Sequence, residues 1–362
     1  MDVSTWYAAG GRCYGRAVTA PDLTGFIAGL PKAELHVHHV GSASPQIVAE
    51  LAARHEGSTP VPADPGLLAD YFVFRDFAHF IEVYLAVVDL IRDPEDVWAL
   101  FHGVGRDLAA QRVRYAELTV TPHLHVSRGF AAAEFCEVIE DARVAVERDF
   151  GTILRWCFDI PGEDGVHGAD QTLKVALEQR PDGLVSFGLG GPEIGVPRTQ
   201  FAPHFAAARA AGLRSVPHAG ETTGAATVWE AIRELKAERI GHGVHSVEDP
   251  ALLDHLVAEG ITLEVCPTSN VRTRAVESLA EHPLATLVKA GVPVTINSDD
   301  PPMFGTTLND EYAVAAELLG LDQDGVADLA RNAVRASFLT FEGKAALLAE
   351  IDAYVADAVT GG

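Results

Sequence analysis

Eight short apolar runs recur along this chain, separated by longer amphipathic stretches rich in Ala, Leu and Glu, and that alternation limits the fold more than any other feature. Short apolar runs joined by helix-length segments are the pattern of parallel strands with crossover helices. Strands are expected at 33–38, 113–120, 153–160, 184–189, 214–219, 239–242, 262–265 and 293–297. Helical periodicity falls between them at 132–148, 201–211, 227–236 and 250–259, and again over 308–354, outside the last strand. Eight strand–helix units predict a closed (β/α)8 barrel, read here as one domain over 1–362 with its core at 30–348. An open doubly wound sheet binding a dinucleotide would need a glycine fingerprint after an early strand, and none is convincing.

One segment interrupts the alternation. Residues 63–92 form an insertion after the first strand that carries Tyr71, Phe72, Phe74, Phe77, Phe80 and Tyr84 at mostly helical spacings. Such an aromatic face packs into a core or covers a pocket as a lid.

Composition narrows the partners. The 362 residues carry a formal net charge of −24 without a visible basic cluster, which disfavours nucleic acid and anionic membrane surfaces. No run of 18 apolar residues suggests a membrane span, and the first 30 residues lack a signal-peptide pattern. Cys13, Cys136, Cys157 and Cys266 are far apart and form no CxxC pair, as expected of reduced thiols in a cytoplasmic protein. The expected partner is a small molecule; the oligomeric state is not readable.

Chemistry gathers at four strand tips, the face on which barrel enzymes build their sites. The first strand ends in His36-Val37-His38, where a two-residue period sends both imidazoles to one side, able to share a cation. The fifth ends in His218-Ala219-Gly220-Glu221, offering a third nitrogen and a carboxylate just beyond it. The sixth ends in Gly241-His242-Gly243, where glycine lets backbone approach closely. The eighth ends in Asn297-Ser298-Asp299-Asp300-Pro301, whose first carboxylate can complete a metal's coordination while its neighbour hydrogen-bonds a substrate. Each cluster alone is weak; four at four predicted strand ends converge on one site.

With these motifs in hand, the chain resembles the adenosine deaminase family of the amidohydrolase superfamily from residue 30 to about 348. The matching stretches are 30–38, Ser186 to Glu193 with its Gly190-Gly191-Pro192-Glu193 end, 218–221, 239–243, Cys266-Pro267-Thr268-Ser269-Asn270 and 298–301. The resemblance implies a TIM barrel of the metal-dependent hydrolase type and hydrolytic deamination of a 6-aminopurine nucleoside. It implies His36, His38, His218 and Asp299 as ligands of one Zn2+ per chain, with iron also compatible with such donors. It further implies Glu221 as general acid toward the purine, His242 as the group that orients the hydrolytic water, Asp300 as a hydrogen-bonding partner of the purine and Gly191 as a backbone contact to the base; chemically, Asp299 and His242 can both hold that water and accept its proton. The chemistry fits those roles: C6 is a poor electrophile, so the ring is protonated at N1 while a metal lowers the pKa of water. On this reading Glu221 carries a raised pKa.

One position departs from the family pattern. Adenosine deaminases usually follow the His-x-His stretch with a hydrophobic residue, an acid and a glycine, the acid binding the ribose 5′-hydroxyl. Here the run is His39-Val40-Gly41, and Val40 cannot make that hydrogen bond. A site without a 5′-hydroxyl partner favours an apolar 5′ extension. Around 38–44 and 190–193 the resemblance is closest to the branch that deaminates 6-amino-6-deoxyfutalosine, a nucleoside with a benzoate on its 5′ side, on a route to menaquinone. Phe72, Phe74, Phe77 and Phe80 are then expected near the benzoate ring, and Arg75 or Arg272 near its carboxylate. The alternatives are an adenosine deaminase, an adenine deaminase needing no sugar contact, and a non-catalytic nucleoside or zinc binder; the last is disfavoured by the presence of ligands, acid and water-orienting group together.

Overall fold

The computed structural model of the chain describes residues 23–73 and 77–361. Eight strands, β1 (Lys32–His38), β2 (Val113–Val120), β3 (Ile153–Pro161), β4 (Leu184–Gly190), β5 (Arg214–Ala219), β6 (Arg239–His242), β7 (Thr262–Val265) and β8 (Val294–Ile296), pair in chain order and in parallel. A parallel bridge between Val37 and Asp299 joins the last strand's end to the first and closes the ring. There Asp299 donates its N–H to the His36 carbonyl at 3.0 Å, and its own carbonyl accepts from the His38 N–H at 2.9 Å. The strand expectations hold to within a residue at most ends, and the eighth is trimmed to three residues.

The helices follow the expected alternation with small shifts. That expected at 227–236 is Ala225–Arg233, and the expected run from 308 divides into Leu308–Leu319, Gln323–Ala336 and Phe341–Gly361. Gly320, in the left-handed region at φ 63°, ends the first of these three as a C-cap. Tyr354 of the last helix donates its hydroxyl to the Phe26 carbonyl at 2.9 Å, tying the chain's end to the helix Leu23–Gly29.

The aromatic insertion folds as two helices, Pro65–Tyr71 and Phe77–Val88. The preceding helix Pro45–Arg54 and the following Pro94–Ala110 flank them. Buried Asp96 fastens the flanks together. Its carboxylate accepts from Arg54 Nε at 2.6 Å, from His55 Nε2 at 2.8 Å and from the Arg92 backbone at 2.9 Å, so the ends of the insertion are pinned.

The lower barrel is packed by charge as well as by apolar side chains. Glu117 on β2 and Glu264 on β7 grip Arg239 on β6 from two sides. Arg239 also donates to the Ala336 carbonyl at 2.9 Å and lies over the Phe338 ring at 3.9 Å, while the Phe338 N–H donates to Glu117 at 2.8 Å. All three charged groups are buried, a placement that is tolerable because every carboxylate faces a donor. Helix and strand apolar faces, with Trp156, Phe101, Phe135 and Phe187 fully buried, fill the rest.

Candidate active site

The strand period carries His36 and His38 to the same side of β1, and the ring closure brings Asp299 beside them. His36 Nδ1 lies 2.8 Å from Glu264 Oε2, so the carboxylate accepts the Nδ1 proton and Nε2 is left with its lone pair. That Nε2 is buried without a hydrogen-bond partner and lies 3.6 Å from Asp299 Oδ1. His38 Nε2 is 3.2 Å from the same oxygen and 3.2 Å from His218 Nε2. Ligand atoms of His36, His38, His218 and Asp299 all fall within 4.8 Å of one another. Lone pairs converging this closely in a buried place are matched by a cation, and three imidazoles with one carboxylate suit a divalent transition metal.

The electrostatics agree. Burial opposes protonation of His36 and His38, yet hydrogen bonds and charge from Asp299 and Glu264 raise His36 to about 10, and Asp299 and Asp300 raise His38 to about 9. The cluster therefore attracts positive charge. Burial works against ionised Asp299 too, but its histidine partners hold it well below the usual carboxylate range. Cys266 also comes close to Asp299 and His242, but burial and the Asp299 charge push its thiol well above its ordinary value, which makes it a poor ligand beside the imidazoles.

Two backbone features make room for this packing. Asp299 and His242 both sit in the left-handed region, at φ 65° and 60°, a conformation uncommon outside glycine. Gly241 lies under the imidazoles: a Cβ there would stand 2.7 Å from His36 Cε1 and 3.2 Å from His218 Cγ.

Beside the metal cluster stand the groups expected to act on a substrate. His242 Nε2 is 3.6 Å from Glu221 Oε2 and 3.8 Å from Asp299 Oδ2, and the Ser269 hydroxyl donates to that Asp299 oxygen at 2.6 Å. Burial, and then the charge of Asp299, push the Glu221 carboxyl up to about 8, as expected from the sequence. Burial lowers His242 to about 3, so its imidazole is neutral. The same two influences that act on Glu221 raise Asp300 to about 7, and its carboxylate packs over the Gly41 backbone. Gly191 turns the chain after β4 at φ 76°, beside Glu163.

The structure adds residues that had no role in the sequence reading. Glu193 accepts the backbone N–H groups of Glu221, Thr222 and Thr223 at 3.0, 2.7 and 2.9 Å, fastening the loop after β5 to the loop after β4. Glu264 orients His36, and Asn270 and His282 stand behind His242. A charged residue inside the apolar run 262–265 was the one signal for Glu264; its partners are distant in sequence.

The residues expected on the 5′ side lie in different settings. Val40 is fully buried, and Phe72 is half-buried against the core, edge to face with Tyr71 at 6.1 Å. Arg272 is exposed and donates to the Phe304 carbonyl at 3.2 Å. Phe74 and Arg75 lie outside the described residues, and of Phe77 and Phe80 only the helical backbone is described. Tyr84 on the helix Phe77–Val88 is raised well above its ordinary value by burial and then by the charges of Asp300, Asp159 and Glu163.

A parallel barrel that gathers three histidines and an aspartate at the C-terminal ends of its strands, beside a buried protonated acid, defines the class as a metal-dependent aminohydrolase. The family model described as adenosine deaminase matches residues 31–354. The chain belongs to the adenosine deaminase family. It is similar to an aminodeoxyfutalosine deaminase of Streptomyces avermitilis, 66% identical over 342 residues that cover 94% of this chain and 95% of the relative. It is also similar to an adenine deaminase of Cupriavidus necator, 39% identical over 89% of this chain and 91% of the relative. Among solved structures, an adenine deaminase of Arthrobacter aurescens superposes with a TM-score of 0.84 at 34% identity, covering 90% of this chain and 99% of that one. Among the described residues no helix is long and apolar enough to cross a membrane.

Proposed function

We propose that the chain deaminates 6-amino-6-deoxyfutalosine hydrolytically to futalosine and ammonia, using one zinc ion per chain. The observation that carries this reading is the 66% identity to a deaminase of that nucleoside over nearly the whole chain, which Val40 at the position of the family's 5′-hydroxyl acid supports independently.

His36, His38, His218 and Asp299 hold the ion on this reading. Bound zinc supplies Lewis acidity that brings the pKa of water toward neutrality. Glu221, protonated in its buried setting, donates a proton to N1 and draws electron density away from C6. Neutral His242 presents an N–H, and Asp299 an acceptor, to the water that adds to C6; of that water's two protons one travels to the departing amino group, which leaves as ammonia, and the other returns to Glu221. Asp300, raised to about 7, hydrogen-bonds the far side of the purine, and the Gly191 backbone meets its edge. The insertion helices Pro65–Tyr71 and Phe77–Val88 cover the 5′ side as a lid.

The test is kcat/KM on 6-aminodeoxyfutalosine, adenosine and adenine with zinc-loaded enzyme. A preference of at least about 100-fold for the first is expected, since a buried mismatch of one polar group is worth that much. Preference for adenosine overturns the argument from Val40. Preference for the free base favours the second reading, adenine deamination, which the 39% identity to adenine deaminases supports.

A further inference from the structure

Behind His242, away from the metal cluster, lies a chain of hydrogen bonds whose direction is fixed at one end. His282 Nδ1 lies 3.1 Å from the backbone nitrogen of Leu284. A backbone N–H only donates, so Nδ1 must accept, and the proton of a neutral ring sits on Nε2. Burial lowers His282 to about 4, which keeps the ring neutral. Its Nε2 lies 3.2 Å from Asn270 Oδ1, which accepts that proton and so fixes which way the amide faces. Asn270 Nδ2, now a donor, stands 3.1 Å from His242 Nδ1. His242 Nδ1 accepts in turn, and its own proton is confined to Nε2.

We infer that the chain Leu284 N–H, His282, Asn270 sets the tautomer of His242 and so keeps an N–H on the face it shares with Glu221 and Asp299. His282 is a positioning residue two side chains removed from the reacting atoms. Reversing any link would set two donors or two acceptors against each other in a buried place, where an unmatched polar group is costly. With the proton on Nδ1 instead, His242 would turn a lone pair toward the ionised Asp299 and could not donate to a water between them. The inference rests on the proposed role of His242 for its kinetic consequence, but not for the tautomer itself.

The experiment uses zinc-loaded, 15N-histidine-labelled enzyme and long-range 1H–15N spectra, with the His242 signals assigned by their loss in His242→Gln. Wild type should show the His242 proton on Nε2. Asn270→Asp, nearly isosteric, replaces the donor by an acceptor and should move the proton to Nδ1. It should lower kcat by roughly 100-fold or more, as a misplaced imidazole proton does in other hydrolases, with KM within about threefold and zinc content unchanged. His282→Gln keeps a donor where Nε2 stood and should retain the wild-type tautomer, whereas His282→Glu, an acceptor, should turn the amide and reproduce the Asn270→Asp spectrum. If Asn270→Asp does not fold, the two His282 variants decide the matter by the same spectra. A wild-type proton on Nδ1, or a tautomer indifferent to these variants, overturns the inference. An inverted tautomer with unimpaired kcat overturns the role of His242 in the reaction instead.

Discussion

Burial moves Glu221, Asp300 and His242 toward their neutral forms, while charged partners override it at His36, His38 and Asp299. Glu221 is an acid at neutral pH because its carboxylate would be desolvated beside another carboxylate. Glu221→Gln keeps the shape and removes the proton, so kcat should fall by roughly 100- to 10,000-fold while metal content by atomic absorption stays at the wild-type level. Near-full turnover in that variant would leave N1 without its proton donor. Glu34 behaves differently. Burial pushes its carboxyl up to about 8, and only Oε1 is bonded, accepting from the Ser298 N–H at 2.8 Å and its hydroxyl at 3.0 Å. Its folded pKa lies above the ordinary 4.5, so between about 4.5 and about 8 the folded state holds a proton that the unfolded chain has released. Stability from this group is therefore full below 4.5 and is lost as pH rises through about 8. Glu34→Gln should remove that slope, making the variant's advantage in urea denaturation larger at pH 9 than at pH 5.

Among elements, the loops after β4 and β5 act as one unit because Glu193 joins them. Three backbone N–H groups and two threonine hydroxyls converge on Glu193 Oε2. Glu193→Ala should cost about 2 kcal/mol or more in stability and lower kcat/KM at least tenfold, read by denaturation and steady-state kinetics on the same preparation. If both are unchanged, the loops are positioned by something else. Legibility in the sequence divides along similar lines. Strands such as 113–120 and 262–265 could be read because an apolar run bounded by polar segments has few other uses, and the four ligands because they end such runs. Glu264, Asn270 and His282 could not, since their roles exist only through partners on other elements, Glu264 lying 228 positions from His36. The trimmed β8 reflects a second limit: Asn297 spends its side chain on the Leu35 N–H at 3.0 Å and on Thr295, so the residue that looked like strand is a clip across the seam.

For the whole molecule, metal and fold are linked by mass action. An ion held, as proposed, by residues of β1 and β5 and by Asp299 just beyond β8 binds the folded state and not the unfolded chain, so its removal should lower the melting temperature. At a free zinc concentration 1,000-fold above Kd the linkage amounts to about 4 kcal/mol. Dialysis against a chelator should lower Tm and abolish deamination together, and added zinc should restore both; loss of activity with an unchanged Tm would place the essential metal elsewhere. The acidic surface implied by a net charge of −24 favours the same outcome, since a bound cation relieves self-repulsion.

The bridge between Val37 and Asp299 carries a consequence for how the protein is made. Its partners are separated by more than 260 residues, and a contact that spans nearly the whole chain is among the last to form, because its loop entropy is recovered only after the intervening strands have docked. The carboxylate that completes the ligand set belongs to that same residue. A nascent chain still lacking its final strand offers imidazoles without their aspartate, so the complete coordination set appears with ring closure. With the ligand set proposed above, metal acquisition is timed to the end of folding, and the rate at which refolding enzyme takes up metal reads the sealing of the barrel.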